Sequence, residues 1–573
     1  MAEEWTAFYE PGVPARIEVP REPLDDLLAQ AARRFPERVA VVFSVNPALP
    51  AGRLTYGRLD ELASRFACAL QQLGVSPGER VALMLPNSTQ YLVGFFGALR
   101  AGAVVVNTNP LYVGREIREQ WCDADVSTAV ILADFIPRLR EVQADTPVRR
   151  VIVTQIEDLL PPPTRWLVPL AQRRHGGRVR VHPAPAVHAL TRLLRRYPPT
   201  PQVVAVRPDD IALLQYTGGT TGTPKGAMLS HANLQANVAQ VVAWFVSARD
   251  GAETFLGALP FFHVYGLTVA MLFAVAKGAT LVAIPRPTPV KSVMRTIQRY
   301  RCSIFPGVPA LYAAIVNHPH AARLDLSSIK ACLSGAAALP AAVQERFERL
   351  TGGKLVEGYG LSETSPVTHA NPIDGVRVPG SIGLPLPSTA ARILALDADD
   401  ELGAGEEGEL AVAGPQVMRG YWHREEESRA AFTASGFFRT GDIARRNDDG
   451  FFFIVDRKKD LINTGGFKVV PREVEEVLFR HPAVADAVVV GVPDPVRGEA
   501  VQAFVVLRPG ADPKEREILD YCRLHLAAYK VPRAVEFRND LPKTPVGKAL
   551  RRVLAAEARG RGEAVPPAAA ARR

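Results

Sequence analysis

The stretch RVALMLPNSTQYLVGFFGALRAGAVVVNTNP, residues 80–110, constrains the fold of this chain more than any other. It reads as an apolar strand, a polar cap at Asn87 and Ser88, a helix to Arg100, a stop at Gly102 and a second strand. That is a βαβ unit. The pattern returns in GATLVAIP (278–285), which is followed by a predicted helix over 289–300 and a short strand, CSIFPG. Alternation of this kind implies an α/β fold in which parallel sheets are covered by helices on both faces.

At 573 residues the chain is too long for one hydrophobic core, which rarely grows beyond about 250–300 residues, so two or more domains are expected. Residues 381–415 carry short apolar runs between turn clusters and predict a β-rich subdomain. After DRKKD (456–460) the texture changes. Helix PREVEEVLFRH, strands ADAVVVGV and AVQAFVVL, helix KEREILDYCRLHLAAY and strand AVEFRND predict a small α+β module. The expected division is a large N-terminal part, 1–456, and a C-terminal part, 457–573, with a disordered tail from about 556.

An apolar fraction of 47% and a charged fraction of 22% are those of a globular protein. The net charge of +9 favours anionic ligands or membrane surfaces. No zinc-finger spacing or aromatic RNP-like run accompanies it, so no nucleic-acid partner is expected. Five scattered cysteines, an odd number, argue against a disulfide framework or a metal cluster and fit a reducing, cytoplasmic compartment. The start, MAEEWTAFYEPG, lacks the apolar core of a secretory signal. The most apolar window, 91–106, is broken by Arg100 and glycines and is too short to span a bilayer. Residues 158–201 have two readings. They form an excursion loop with a solvated basic patch, or 158–180 anchor the protein peripherally on the inner face of the membrane, with Trp166 at the headgroups and Arg165, Arg173, Arg174 and Arg178 on anionic lipid.

YTGGTTGTPKG, residues 216–226, packs bare backbone beside one lysine directly after an apolar strand. Successive N–H groups of Thr217, Gly218, Gly219, Thr220, Thr221 and Gly222 can form a concavity for phosphate oxygens, with threonine hydroxyls and Lys225 as further donors. This is not a Walker loop, since Lys225 lies between Pro224 and Gly226 and no Gly-Lys-Ser/Thr is present.

Downstream come EGYGLSETSP (357–366), FRTGDIA (438–444), IVDRKKDLINTGGFKVVPREVEEVL (454–478) and PKTPVGKALRR (542–552). With the glycine loop, in this order, they resemble the acyl-adenylate-forming superfamily over roughly residues 22–555, and the wording LPFFHVYGL and GYGLSETSPVTHANP is most similar to the bacterial long-chain fatty acid CoA ligases. The resemblance implies a small mobile C-terminal domain. It also implies an ATP-dependent reaction in two halves, carboxylate plus ATP to acyl-AMP and pyrophosphate, then acyl-AMP plus CoA to acyl-CoA and AMP. Medium-chain or aryl acids, a carrier protein in place of CoA, and a non-catalytic nucleotide-sensing or nucleic-acid-associated role are the alternatives, and a homodimer is an allowed state.

The same resemblance assigns roles. Thr217 to Lys225 would hold the β- and γ-phosphates, and Glu363 would hold Mg²⁺ with Thr221 nearby. Tyr359, with Gly360 after it, would stack on adenine, and Gly335 and Ala336 would lie beside the base. Asp442 and Arg457 would reach the ribose, and Lys548 would bridge the carboxylate and the α-phosphate. Lys459 stands at the hinge position, and Gly465 and Gly466 would line the pantetheine path once Lys548 has rotated away. Phe262, His263 and Tyr265 would wall the acyl site. Phe437 stands where relatives often place Trp, and Ser362 replaces a common Thr while keeping the hydroxyl. Lys548→Ala is expected to abolish pyrophosphate release from carboxylate and ATP while leaving thioester formation from supplied acyl-AMP largely intact; equal loss in the two half-reaction assays would refute that division of labour.

Overall fold

The computed structural model describes residues 4–173, 186–217, 224–396, 398–457, 460–464, 467–494, 498–543 and 549–562. Its chain forms two compact units, one of Met1–Ala391 and Val412–Phe438, the other of Arg392–Ala411 and Arg439–Arg573.

The first unit is built on parallel sheets. Seven strands run in the order Val187–Ala189, Arg150–Thr154, Val126–Leu132, Arg80–Met84, Val104–Asn107, Ile211–Thr217 and Lys225–Ser230, every pair parallel except the last. A second sheet orders Thr254–Gly257, Thr280–Ala283, Val39–Phe43 and Gly52–Thr55. It continues through Ile304, which bridges Phe255 on one side and Ala331 on the other, into Ala331–Ser334, Lys354–Gly360, Val367–Ala370 and Leu384–Pro385. The helix Thr89–Arg100 touches strands of both sheets and is buried from Thr89 to Leu99. A helix apolar all round belongs in such a core.

The predicted βαβ unit is present, with one change at the cap. Ser88 accepts the Tyr91 N–H at 3.2 Å, as an N-cap does. Asn87 does something else: its amide donates to Gly257 O and Leu259 O at 3.0 and 2.7 Å and accepts from Phe261 N at 2.8 Å. One buried side chain thereby ties the two sheets together. CSIFPG does not form a regular strand, because Pro306 has no N–H to donate; isolated bridges at Ile304 and Gly307 remain.

The helix His231–Trp244 buries amides where an apolar face is usual. Asn237 is fully buried; its Nδ2 donates to Val367 O at 2.7 Å and its Oδ1 accepts from Val367 N at 3.0 Å. Asn233 donates to Pro415 O and Val417 O, both at 2.8 Å, and Gln240 to Pro387 O at 2.8 Å. Backbone polar groups that no ladder satisfies are satisfied here by side chains, as burial demands.

In the second unit, one sheet orders Ala390–Leu394, Gly408–Ala413, Phe438–Arg446 and Phe452–Arg457, the β-rich segment foreseen around 381–415 extended by a later hairpin. The other orders Phe467–Val469, Ile462–Thr464, Gly498–Leu507 and Val484–Asp494, with Ala534–Arg538 parallel to Gly498–Leu507. Helices Pro471–Arg480 and Glu515–His525 bury Val474, Leu478, Ile518 and Cys522 against it. Arg472 donates to Ile454 O at 3.1 Å and its N–H to Asp456 at 2.9 Å, so the strand before residue 457 and the module after it share one unit. Of the tail expected to lose order from about 556, residues 556–562 instead complete the helix Arg551–Gly562, and 563–573 lie outside the described residues. Leu554 is fully buried with Val488, Val490, Phe504 and Leu541, and Ala555 and Ala558 pack beside them. Alanine-rich sequence with apolar residues three and four apart suffices for one more amphipathic turn or two.

Asn237→Leu removes both partners of the Val367 peptide in a dry site. Its urea midpoint is expected to fall by the equivalent of about 2–4 kcal/mol, and a change below about 0.5 kcal/mol would show that water or relaxation replaces the amide.

Candidate functional site

The glycine loop is carried by a hairpin. Ile211–Thr217 pairs antiparallel with Lys225–Ser230, and the register sets Thr217 opposite Lys225 and Tyr216 opposite Gly226. Gly218, Gly219, Thr220, Thr221 and Gly222 lie outside the described residues, as do Lys459, Gly465, Gly466 and Lys548. Below the loop Tyr216 donates to Asp123 Oδ2 at 2.6 Å, and Arg424 donates to Oδ1 of the same carboxylate at 2.9 Å. Burial and the neighbouring carboxylate push the Tyr216 phenol far above its ordinary value, so it stays a donor.

A segment from Met418 to Trp422 runs along the free edge of the hairpin. Arg419 N donates to Met228 O at 3.0 Å, Met228 N to Gly420 O at 2.9 Å and Trp422 N to Gly226 O at 2.8 Å. This places the Tyr421 ring under the Lys225 ammonium, 5.3 Å from Nζ to the centroid, close enough for a cation–π contact. The Tyr421 hydroxyl donates to Glu363 Oε1 at 3.0 Å, and Met418 N donates to Glu363 O at 2.7 Å. Lys225 and Glu363, 138 positions apart in sequence, are therefore gathered on one tyrosine.

Glu363 sits in a short turn, Ser362–Thr364, after the strand Lys354–Gly360. The turn is held from beneath. Thr268 Oγ1 donates to Ser365 O at 2.7 Å, and Asn237 grips Val367. Gly360 is required because a Cβ there would lie 1.8 Å from Pro366 O. Tyr359, half-buried, meets the buried His369 ring edge to face at 6.0 Å, and burial pushes that imidazole down to about 3, so it is neutral.

Gly335 and Ala336 follow the strand Ala331–Ser334; Ala336 is exposed and holds φ at +69°, a region that residues with a Cβ rarely adopt. Tyr265 lies against Gly335, where an added Cβ would meet its ring at 3.0 Å. The expected acyl-wall residue is thus also a brace, its hydroxyl donating to Leu333 O at 2.6 Å and Gly307 O at 3.1 Å. Phe262 and His263 are half-buried, and Gln215, next to Tyr216 on the hairpin, donates to Phe262 O at 3.3 Å. Asn107 donates to Gln215 Oε1 at 3.2 Å and accepts from Tyr91 at 2.7 Å, so one buried chain of hydrogen bonds links the loop strand to the LPFFHVYGL segment.

In the second unit Asp442 is buried and its register partner across the hairpin is Arg457, which places both ribose candidates at one point of the ladder. Asp442 N donates to Thr440 Oγ1 at 3.1 Å, and Thr440 Oγ1 to Leu410 O at 2.7 Å.

Sequence reasoning missed Tyr421, Asp123, Gln215 and Asn237. Their signals are weak: none stands in a recognisable motif, and Asn237 and Asp123 lie among other polar residues. Among the described residues no cluster of three or more His, Cys, Asp or Glu side chains could hold a metal by itself.

The first unit thus gathers Lys225 and Glu363 on Tyr421, and the second holds Asp442 opposite Arg457. Residues 28–422 match the AMP-binding enzyme family, and residues 473–548 match the AMP-binding enzyme C-terminal domain. The chain belongs to the AMP-binding enzyme family. It is 44% identical over 559 residues to a long-chain-fatty-acid–CoA ligase of Bacillus subtilis strain 168, covering 96% of this chain and 98% of the relative. It is 40% identical over 567 residues to a long-chain-fatty-acid–CoA ligase of Escherichia coli O157:H7, covering 98% and 99%. Among solved structures it is similar to ATP-bound MatB from Rhodopseudomonas palustris, with a TM-score of 0.81, 29% identity and coverage of 94% and 99%. It is also similar to the anthranilate CoA ligase AuaEII in complex with anthranoyl-AMP, with a TM-score of 0.82, 27% identity and coverage of 96% and 99%.

Proposed function

We infer that the protein is an ATP-dependent long-chain fatty acid CoA ligase. The observation that carries this is identity of 40–44% to ligases of that name along nearly the whole of both chains. In the first half-reaction a carboxylate oxygen bonds to the α-phosphorus of ATP and pyrophosphate leaves. In the second the CoA sulfur bonds to the acyl carbon, the thiol proton is lost and AMP leaves. The obstacle to the first is charge: two unit anions about 4 Å apart repel by roughly 4 kcal/mol at an effective dielectric of 20.

This chain's own groups answer that repulsion. Lys225 supplies a cation at the rim of the phosphate loop, and we assign Lys548 to the approaching carboxylate and α-phosphate. Asp442 and Arg457 are assigned to the ribose, Tyr359, Gly335 and Ala336 to the base, and Phe262, His263 and Tyr265 to the acyl wall. The domain line is drawn at 456/457, with Lys459 at the hinge and Gly465 and Gly466 on the thiol path. Mg²⁺ fits the donor set: Glu363 offers a carboxylate on a braced turn beside the phosphate hairpin, and hard cations of this kind take one or two carboxylates plus substrate phosphates. When bound it neutralises phosphate charge.

No helix among the described residues is long and apolar enough to cross a membrane. A peripheral contact is favoured by where the charge lies. Residues 159–208 contain nine arginines, no lysine and no acid, so this one segment holds the whole net charge of +9 and the rest of the chain is balanced. Within it the helix Pro162–Arg173 is pinned by Thr164, which donates to Pro50 O at 2.6 Å, while Trp166 and Leu167 are 68% and 47% exposed. An apolar pair beside an acid-free arginine field suits an anionic lipid surface. A homodimer is retained as an allowed state.

With CoA and Mg²⁺, graded fatty acids are expected to yield AMP and never ADP. Each added pair of methylenes should raise kcat/KM by roughly tenfold between acids of about eight and sixteen carbons while the tunnel stays dry; a flat profile would exclude the long-chain reading. Trp166→Ala with Leu167→Ala is expected to cut co-sedimentation with phosphatidylglycerol vesicles several-fold while soluble-substrate turnover stays unchanged, and undiminished binding would remove the anchor.

A further inference from the structure

We infer that Tyr421 is a positioning residue for the ATP end of the site: its ring seats the Lys225 ammonium while its hydroxyl holds one oxygen of the Glu363 carboxylate. The inference rests on reading Lys225 as phosphate-facing and Glu363 as metal-facing. Its own observations are geometric. Tyr421 is bridged to Ala227, and hydrogen bonds on both sides of it, Met228 N to Gly420 O and Trp422 N to Gly226 O, lock the segment to the strand that begins with Lys225. Ser428 Oγ takes the Tyr421 N–H at 2.8 Å. The side chain is left with two torsions, and both ends of it meet a charged group.

Each contact has a separate consequence. A lysine on a four-carbon stem samples many positions, and a ring under its ammonium narrows them without cancelling the charge. A carboxylate that accepts a hydrogen bond from a neutral phenol keeps its charge and has its plane constrained. The tyrosine therefore orders a cation and an anion without itself carrying a charge that would cancel either. Groups that orient a metal ligand from behind are commonly worth 10–100-fold in metal affinity.

The test uses the full chain and calorimetric ATP binding, with and without Mg²⁺, for Tyr421→Phe, Tyr421→Leu, Glu363→Gln and the Glu363→Gln/Tyr421→Phe pair. Tyr421→Phe keeps the ring and loses only the donor. It is expected to raise the Mg²⁺ concentration for half-maximal tightening of ATP by about tenfold, with metal-free ATP affinity unchanged and the thermal midpoint within ~2 °C of the parent. Tyr421→Leu should lose metal-free ATP affinity several-fold as well, because Lys225 is no longer seated. In the double variant the Mg²⁺ shift should be no larger than in Glu363→Gln alone, the mark of two residues acting through one function. A parental Mg²⁺ requirement in Tyr421→Phe beside a shifted one in Glu363→Gln overturns the proposal, as do shifts that multiply in the double variant. If Glu363→Gln itself keeps the parental requirement, the reading of Glu363 as metal-facing falls, and the hydroxyl half of the proposal with it.

Discussion

The site depends on a helix that spends its buried face on amides. Asn237 contacts the Val367 backbone on both its N–H and its C=O, as a neighbouring strand would, and Asn233 and Gln240 donate to the carbonyls of Pro415, Val417 and Pro387. An apolar face would bury more hydrocarbon but would leave these peptides unsatisfied in a dry interior, a penalty larger than the gain. Directional bonds also fix position in a way that apolar contact does not. The turn bearing Glu363 and the segment bearing Tyr421 are thereby set against one helix, and through it against each other.

Charge is arranged with the same economy. Lys225 is met by an aromatic face and Glu363 by a phenol, partners that fix direction without themselves carrying charge. On the opposite side of the hairpin the reverse logic holds: Asp123 is fully engaged by Tyr216 and Arg424 and serves as a structural anchor.

Much of this was legible before any coordinates. The βαβ reading of 80–110 held because a parallel strand, a capped helix and a stop each leave a local signature, and Ser88 caps as expected. The ordered motifs brought the family and its reaction with them. Asn87 and the tail show where local reading fails, and Tyr265 shows where it is incomplete. Asn87 has the composition of a cap but ties two sheets; Tyr265 reads as pocket lining, and its hydroxyl also braces Leu333 O; residues 556–562 read as disordered tail but complete a helix over a hydrophobic cluster. In each case a partner distant in sequence decided the role.

What the chain's own order of residues determined is the set of elements, the parallel sheet class and the chemistry of the motifs, because hydrophobic period, capping and glycine content act over a few residues. What only the tertiary structure decided is which groups share a space: that Tyr421 joins Lys225 to Glu363, that Asn237 replaces a strand, that Asp442 and Arg457 are register partners. Those pairings follow from sheet order and from the need to satisfy every buried peptide, and neither is a property of any short stretch of sequence.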